Sequence, residues 1–81
     1  MKLTISHVEV RVEPGGWTVT VHYKQPVEPR VLHHFRLKAS AKMYARGVAD
    51  VLGVELRVTD RKGRYTAEVA SYGNDPRDIP G

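Results

Sequence analysis

Alternating apolar and polar residues mark the clearest feature of this chain, a hairpin in its C-terminal half. Residues 54–58 alternate apolar and polar side chains, residues 60–63 have the composition of a tight turn, and the alternation resumes over residues 65–69. A period of two residues is the signature of a strand with one buried face. The pattern therefore predicts two strands joined by a short turn.

Three further strands are predicted upstream, over Lys2–Glu13, Trp17–Lys24 and Arg30–Lys38. A proline–glycine turn separates the first two, and a segment with two prolines ends the second, because proline cannot donate to a strand ladder. In the first strand the apolar phase changes near Ser6 and His7. Since one face stays inward only while the phase holds, this change indicates a β-bulge or a start outside the sheet.

Between the third strand and the hairpin the apolar period becomes helical. The positions that recur at helical spacing are Ala41, Tyr44, Ala45, Val48, Val51 and Leu52. Ser40 is the expected N-cap, and Gly53 lies where a helix ends in the left-handed conformation. A helix this short does not persist alone in water, so its apolar stripe is expected to lie on the sheet.

The element order is β-β-β-α-β-β, which predicts a two-layer α+β domain with a single helix packed on a mainly antiparallel sheet. We expect residues 1–71 to form one domain and residues 72–81 an irregular tail. Strand order is not fixed by the pattern. The aromatic residues Trp17, Phe35 and Tyr65 are expected under the helix, with Leu32 on the opposite face of its strand.

Composition narrows the class of protein. The chain has 81 residues and no cysteine, which excludes disulfides, a thiol nucleophile and a thiolate metal site. No apolar run approaches the ~20 residues that span a bilayer. The N-terminus turns polar too soon for a signal peptide. We therefore expect a soluble cytoplasmic protein without membrane contact, in the host cytoplasm if a phage encodes it.

Four histidines raise a metal hypothesis. They are His7, His22, His33 and His34. His33 and His34 are adjacent in a strand and point to opposite faces, so both do not readily serve one ion. His22 and His34 are expected to be cross-strand neighbours without a carboxylate beside them. We interpret all four as ordinary surface histidines, with His33 partly buried and hydrogen-bonded, and predict no metal and no cofactor.

No catalytic motif is present in the sequence. Ser40 is explained by helix capping, and the chain has no phosphate-binding loop, metalloprotease string or nucleophile elbow. Glu55 and Glu68 are expected to face each other across the last hairpin, which is typical of surface charge pairing. We predict a protein that is not an enzyme and has no small-molecule substrate.

The net charge is +4, and basic residues are predicted on the sheet face away from the helix. The residues expected on that face are Thr18, Thr20, His22, Lys24, His34, Arg36, Lys38, Arg57 and Arg64, against the acidic residues Glu55 and Glu68. This surface suggests a nucleic-acid-binding accessory domain as the alternative function. However, sheet-based readers of single strands stack bases on exposed aromatic rings, and here the rings are expected to be buried. Phosphate contact alone is weak and strongly salt-dependent.

A non-enzymatic protein-interaction module is the favoured hypothesis, with a protein partner or a homodimer formed through an edge strand. Leu32 and Met43 are apolar residues expected outside, and the last turn forms a basic tip suited to an acidic partner. The candidate partner-binding residues are His22, Lys24, Leu32, His34, Arg36, Lys38, Arg57, Arg61, Lys62 and Arg64.

Several short strings resemble a known pattern. They are Gly16-Trp17-Thr18-Val19, Phe35 before a helix with Ala41, Ala45 and Ala49, the strand Leu56-Arg57-Val58, and Ser71-Tyr72-Gly73-Asn74-Asp75-Pro76. Over residues 16–76 the chain is similar to the small prokaryotic and phage domains grouped as domain of unknown function 2188. The resemblance implies a compact αβ unit from a prokaryotic or phage genome and carries over no catalytic residue. The N-terminal strand, Lys42 and Met43 depart from the pattern.

Overall fold

The computed structural model describes residues 2–59, residue 62 and the backbone of residues 65–71. The elements are β1 (Ile5–Glu13), β2 (Gly16–Tyr23), β3 (Arg30–Phe35), α1 (Lys38–Leu52), β4 (Glu55–Thr59) and β5 (Tyr65–Ser71). The predicted α+β class, with one helix and a sheet, is confirmed. The predicted tail over residues 72–81 lies outside the described residues, as do Arg61 and Arg64 of the predicted basic tip.

The sheet has the strand order β3-β2-β1-β4-β5 and is mixed. β1 lies at its centre and pairs antiparallel with β2 and parallel with β4. Parallel neighbours need a long crossover connection, and here the chain between them includes α1. The parallel pair joins segments that are far apart in the sequence, which is why alternation alone did not predict it. β3 and β5 form the two edges.

The hydrophobic core lies between α1 and the central strands. Its buried members are Val8, Val10, Trp17, Val19, Val21, Ala41, Ala45, Ala49, Leu56 and Val58. Burying one valine side chain contributes roughly 1.5–3 kcal/mol, so the strand valines provide most of the apolar driving force. The helix contributes alanines to this core, and their small size lets it lie close to the sheet. Trp17 is buried as predicted, and Phe35 packs half-buried against the same cluster.

Two β-bulges change which side chains face the core. The pairing of β1 with β2 shifts between Ile5 and His7, so the predicted bulge is confirmed. A second shift lies between β2 and β3 and leaves Leu32 as the extra residue. Val31 is consequently 62% exposed, whereas Leu32 is half-buried against the core. The predicted position of Leu32 on the outer surface was wrong, because the bulge exchanges the two phases of the strand.

The helix begins earlier than the sequence suggested. Its N-cap is Leu37, with extended backbone and no side-chain cap, so the predicted N-cap role of Ser40 was wrong. Lys38 is the first helical residue rather than the end of a strand, and its Nζ lies 5.2 Å from the centroid of the Trp17 ring. The C-terminal prediction is confirmed, since Gly53 caps the helix in the left-handed conformation with φ of 69°.

Candidate functional site

The sheet face away from α1 carries a cluster of ionisable side chains. The register aligns His7 of β1 with His22 of β2 and with Glu55 of β4, and aligns Glu9 with Arg57. Residues aligned across neighbouring strands project to the same face. We refer to these residues together with Arg11 as the polar network: His7, Glu9, Arg11, His22, Glu55 and Arg57.

Glu9 is the buried centre of the polar network. Its side chain is only 2% exposed. The Arg11 guanidinium donates from Nε to Glu9 Oε1 at 3.2 Å and from Nη2 to Oε2 at 2.8 Å. His22 Nε2 lies 2.9 Å from Glu9 Oε1. Charge-assisted, bidentate hydrogen bonding of this kind compensates the desolvation cost of a buried carboxylate.

His7 is the other buried member of the polar network. Its ring stacks on the His22 ring, with centroids 4.5 Å apart, and its Nδ1 lies 3.0 Å from the Ser6 hydroxyl. Its Nε2 is buried without a hydrogen-bond partner among the described residues. Burial lowers the pKa of His7 below its ordinary value of 6.5, and the positive charges of Arg57 and His22 lower this pKa further.

We expect the stability of the protein to fall as the pH drops below about 6.5, because the unfolded chain then binds a proton that folded His7 binds only at lower pH. The contribution is fully present above the unfolded pKa and is lost progressively towards the folded pKa. Urea unfolding at several pH values measures this slope. The variant His7→Phe should flatten it. An unchanged slope in His7→Phe would contradict the assignment.

The predicted basic face does not form as expected. His22 contacts the carboxylate of Glu9, and the Nε of Arg57 donates to the carboxylate of Glu55. Lys38, predicted on this face, instead belongs to α1 and lies over the Trp17 ring, because β3 ends before it. The two arginines of the polar network thus lie beside carboxylates from their own strands.

Other predictions about this region have mixed outcomes. Glu55 lies in register with Ser71, so the predicted pairing of Glu55 with Glu68 was wrong. Lys24 and Lys62 are exposed. Within the described part of the chain, no group of three histidine or acidic side chains is arranged to hold a metal, and no pocket opens at the surface. No described helix is long and apolar enough to cross a membrane.

The β3 edge, defined as residues 30–35, is the outermost strand on one side of the sheet. Its one hydrogen-bonded neighbour in the described sheet is β2. Four of its six side chains are exposed: Arg30, Val31, His33 and His34. The candidate residues Leu32 and His34 both lie on this edge, and His34 Nδ1 is 3.3 Å from the Thr18 hydroxyl. Arg36 follows directly and is exposed.

An apolar side of the helix adjoins the β3 edge. The Tyr44 ring lies 5.4 Å from the Phe35 ring and 5.8 Å from the His33 ring, between centroids. Positions seven residues apart share one side of a helix, so Val51 continues the side of Tyr44. Leu37, the N-cap residue, lies in the chain between the end of β3 and α1. We call Leu37, Tyr44 and Val51 the helix flank; they are 66%, 41% and 85% exposed.

Sequence reasoning missed the helix flank, because it assigned Tyr44 and Val51 to the buried stripe. The structure buries only the alanines of α1 completely. The available signal was the seven-residue repeat of large apolar residues beside a separate repeat of alanines. Met43, 75% exposed, does lie on the surface as predicted.

Positive charge is concentrated around the β3 edge. Residues 29–49 contain no Asp or Glu, and their basic residues are Arg30, Arg36, Lys38, Lys42 and Arg46. Within the described residues, no ion pair joins Arg30 or Arg36 to a carboxylate, whereas Arg11 and Arg57 are both paired. Among the described residues, the structure therefore pairs the arginines of the polar network with carboxylates and leaves Arg30 and Arg36 without one.

Comparisons with models of known families, with curated proteins and with solved structures find no match to this chain. The resemblance to domain of unknown function 2188 therefore stays a prediction, and so does the prokaryotic or phage origin that it implies.

Proposed function

We propose that this protein is a small non-enzymatic interaction module that binds an extended segment of another protein along the β3 edge. In this arrangement α1 and the sheet are two layers, and the β3 edge and the helix flank lie along the same exposed margin. The observation that carries it is this juxtaposition. The outer strand β3 has one paired side, and the part-exposed ring of Tyr44 on α1 lies 5.4 Å from the ring of Phe35 at its end.

The physical basis is strand addition. An edge strand presents N–H and C=O groups that no neighbouring strand satisfies, and an incoming segment pairs with them in the same ladder geometry as β2. Side chains of the added strand alternate between the two faces. On the helix side they would cover Phe35 and Tyr44, which are already in ring contact. Backbone pairing thus supplies affinity, and apolar contact with the helix flank supplies selectivity.

The polar network supports this location because its charged groups already have partners within the network. Glu9 is satisfied by Arg11 and His22, and Arg57 by Glu55. A partner docking on that face would have to displace these bonds, whereas a partner at the β3 edge displaces only water. A second copy of the chain and a nucleic acid are the other candidate occupants, and the experiment below separates them.

Selection from a displayed library of random peptides, followed by amide chemical-shift mapping of the selected binders, tests the proposal. We expect the shifts to cluster on residues 30–35 and on α1 around Tyr44. Val31→Lys places a charge on the exposed edge and should weaken binding about tenfold or more, since edge lysines block strand addition. Met43→Lys, at a position that is 75% exposed against 62% for Val31, is the matched control and should bind normally.

Three outcomes would contradict the proposal. In the first, the selection yields no binder. In the second, the shifts fall on the polar network instead of β3. In the third, a single-stranded oligonucleotide binds at β3 and no peptide does. A dimer seen by light scattering that Val31→Lys dissociates would support docking at the edge and identify the second copy as the occupant.

A further inference from the structure

We infer that the segment bound at the β3 edge is acidic, with carboxylates that meet Arg30 and Arg36 and apolar side chains that cover the helix flank. The inference rests on the proposed function and specifies its partner.

Charge complementarity is the first argument. Arg30 and Arg36 are exposed at the two ends of β3 and form no ion pair among the described residues. They lie at most about 20 Å apart along the chain, a span that one extended segment covers. No acidic residue occurs between residues 29 and 49 to neutralise them. A strand bearing Asp or Glu near each end would meet both guanidinium groups.

The same charges disfavour a second copy. Two β3 strands paired across a two-fold axis would bring Arg30 and Arg36 of both chains into one interface, and β3 itself provides no carboxylate to offset them. Like charges close together across a strand pair are destabilising. An acidic partner removes this repulsion and gains from the same arginines.

Backbone chemistry disfavours a nucleic acid at this edge. An edge strand presents both donors and acceptors, and an extended peptide supplies complementary groups of both kinds. Phosphate oxygens accept hydrogen bonds but donate none, so a DNA backbone offers no donor to the outward carbonyl groups of β3, and an RNA backbone offers only its 2′-hydroxyl groups. Affinity for a polyanion would then come from charge alone and would fall steeply with salt.

Two labelled peptides test the inference by fluorescence anisotropy on the intact protein. One places Glu residues at both ends of a segment that alternates Val with Thr, and the other places Lys residues at the same positions. We expect the Glu peptide to bind, with amide shifts on residues 30–35, and the Lys peptide to bind about tenfold more weakly or worse. The double variant Arg30→Glu with Arg36→Glu should reverse this preference. The variant Lys2→Glu with Lys62→Glu changes the net charge equally at exposed positions outside β3 and α1, with Lys62 between β4 and β5 at the other side of the sheet, and should retain it.

The results separate the inference from the proposed function. Equal binding of both peptides at β3, or library-selected binders that map to β3 without acidic residues, would overturn the acidic partner and leave edge docking intact. A dimer that Val31→Lys dissociates would likewise overturn the acidic partner and leave edge docking intact. A labelled oligonucleotide that displaces the Glu peptide and binds more tightly at moderate salt would also overturn the inference. Absence of any shift on β3 would overturn both.

Discussion

Replacement of Gly16 by alanine is expected to lower the free energy of unfolding by about 3 kcal/mol. A Cβ at this position would lie 2.1 Å from the Phe35 carbonyl oxygen, and the φ angle of +156° is one that residues with side chains rarely adopt. The contacting atom belongs to the backbone at the end of β3, so β3 would have to move to relieve the overlap with the added Cβ. Position 16 of β2 therefore requires a residue without a side chain, because β3, the candidate docking strand, packs against it.

The adjacent glycine provides a matched control. Gly15 also has a positive φ, +87°, but a Cβ there would meet no atom within 4 Å. Gly15→Ala should therefore cost only the backbone term, about 1–2 kcal/mol. Urea unfolding of both variants measures the difference. Equal losses in the two variants would contradict the close approach of Gly16 to Phe35. A Gly16→Ala variant with the same free energy of unfolding as the wild type would contradict it more strongly.

Removal of the buried carboxylate by Glu9→Ala is expected to cost about 3 kcal/mol, the range seen when one member of a buried ion pair is deleted. The substitution leaves His22 and Arg11 without their shared acceptor on a face where Glu9 is 2% exposed. Thermal and urea unfolding at neutral pH measure the loss.

Glu55→Ala is the control on the same face. Glu55 accepts from Arg57 on its own strand, but the two side chains are about one-third exposed, and pairs in that environment contribute about 1 kcal/mol or less. A double-mutant cycle of Glu9→Ala with Arg11→Ala would assign the coupling. If Glu9→Ala and Glu55→Ala prove equally mild, the polar network does not stabilise the centre of the sheet as described.

Local patterns predicted the parts of the fold that local physics determines. The phase change near Ser6 and His7 is a register shift, Gly53 ends the helix, and Trp17 is buried. The bulge at Leu32 was not predicted, because one inserted residue leaves no mark in composition and is visible only in the pairing with β2. That single residue exchanged Val31 and Leu32 between surface and core.

The candidate site was harder to predict because long-range pairing assembles it. Alternation puts Val8 and Val10 in one phase, and the structure buries both, but only the parallel alignment of β1 with β4 brings Glu9 beside Arg57. The sheet order then determines that β3 is an edge. The helix flank escaped prediction because Tyr44 lies beside the buried alanines, and helical period alone does not distinguish the buried part of a wide apolar stripe from its exposed margin.

Amide chemical-shift mapping with the peptide that carries Glu at both ends tests most directly whether the β3 edge is the docking surface. We predict that the perturbed amides are those of residues 30–35 together with the neighbouring helix around Tyr44, and that the effect is lost in Val31→Lys. Perturbation centred on His7, Glu9 and His22, with β3 unchanged, would contradict the account.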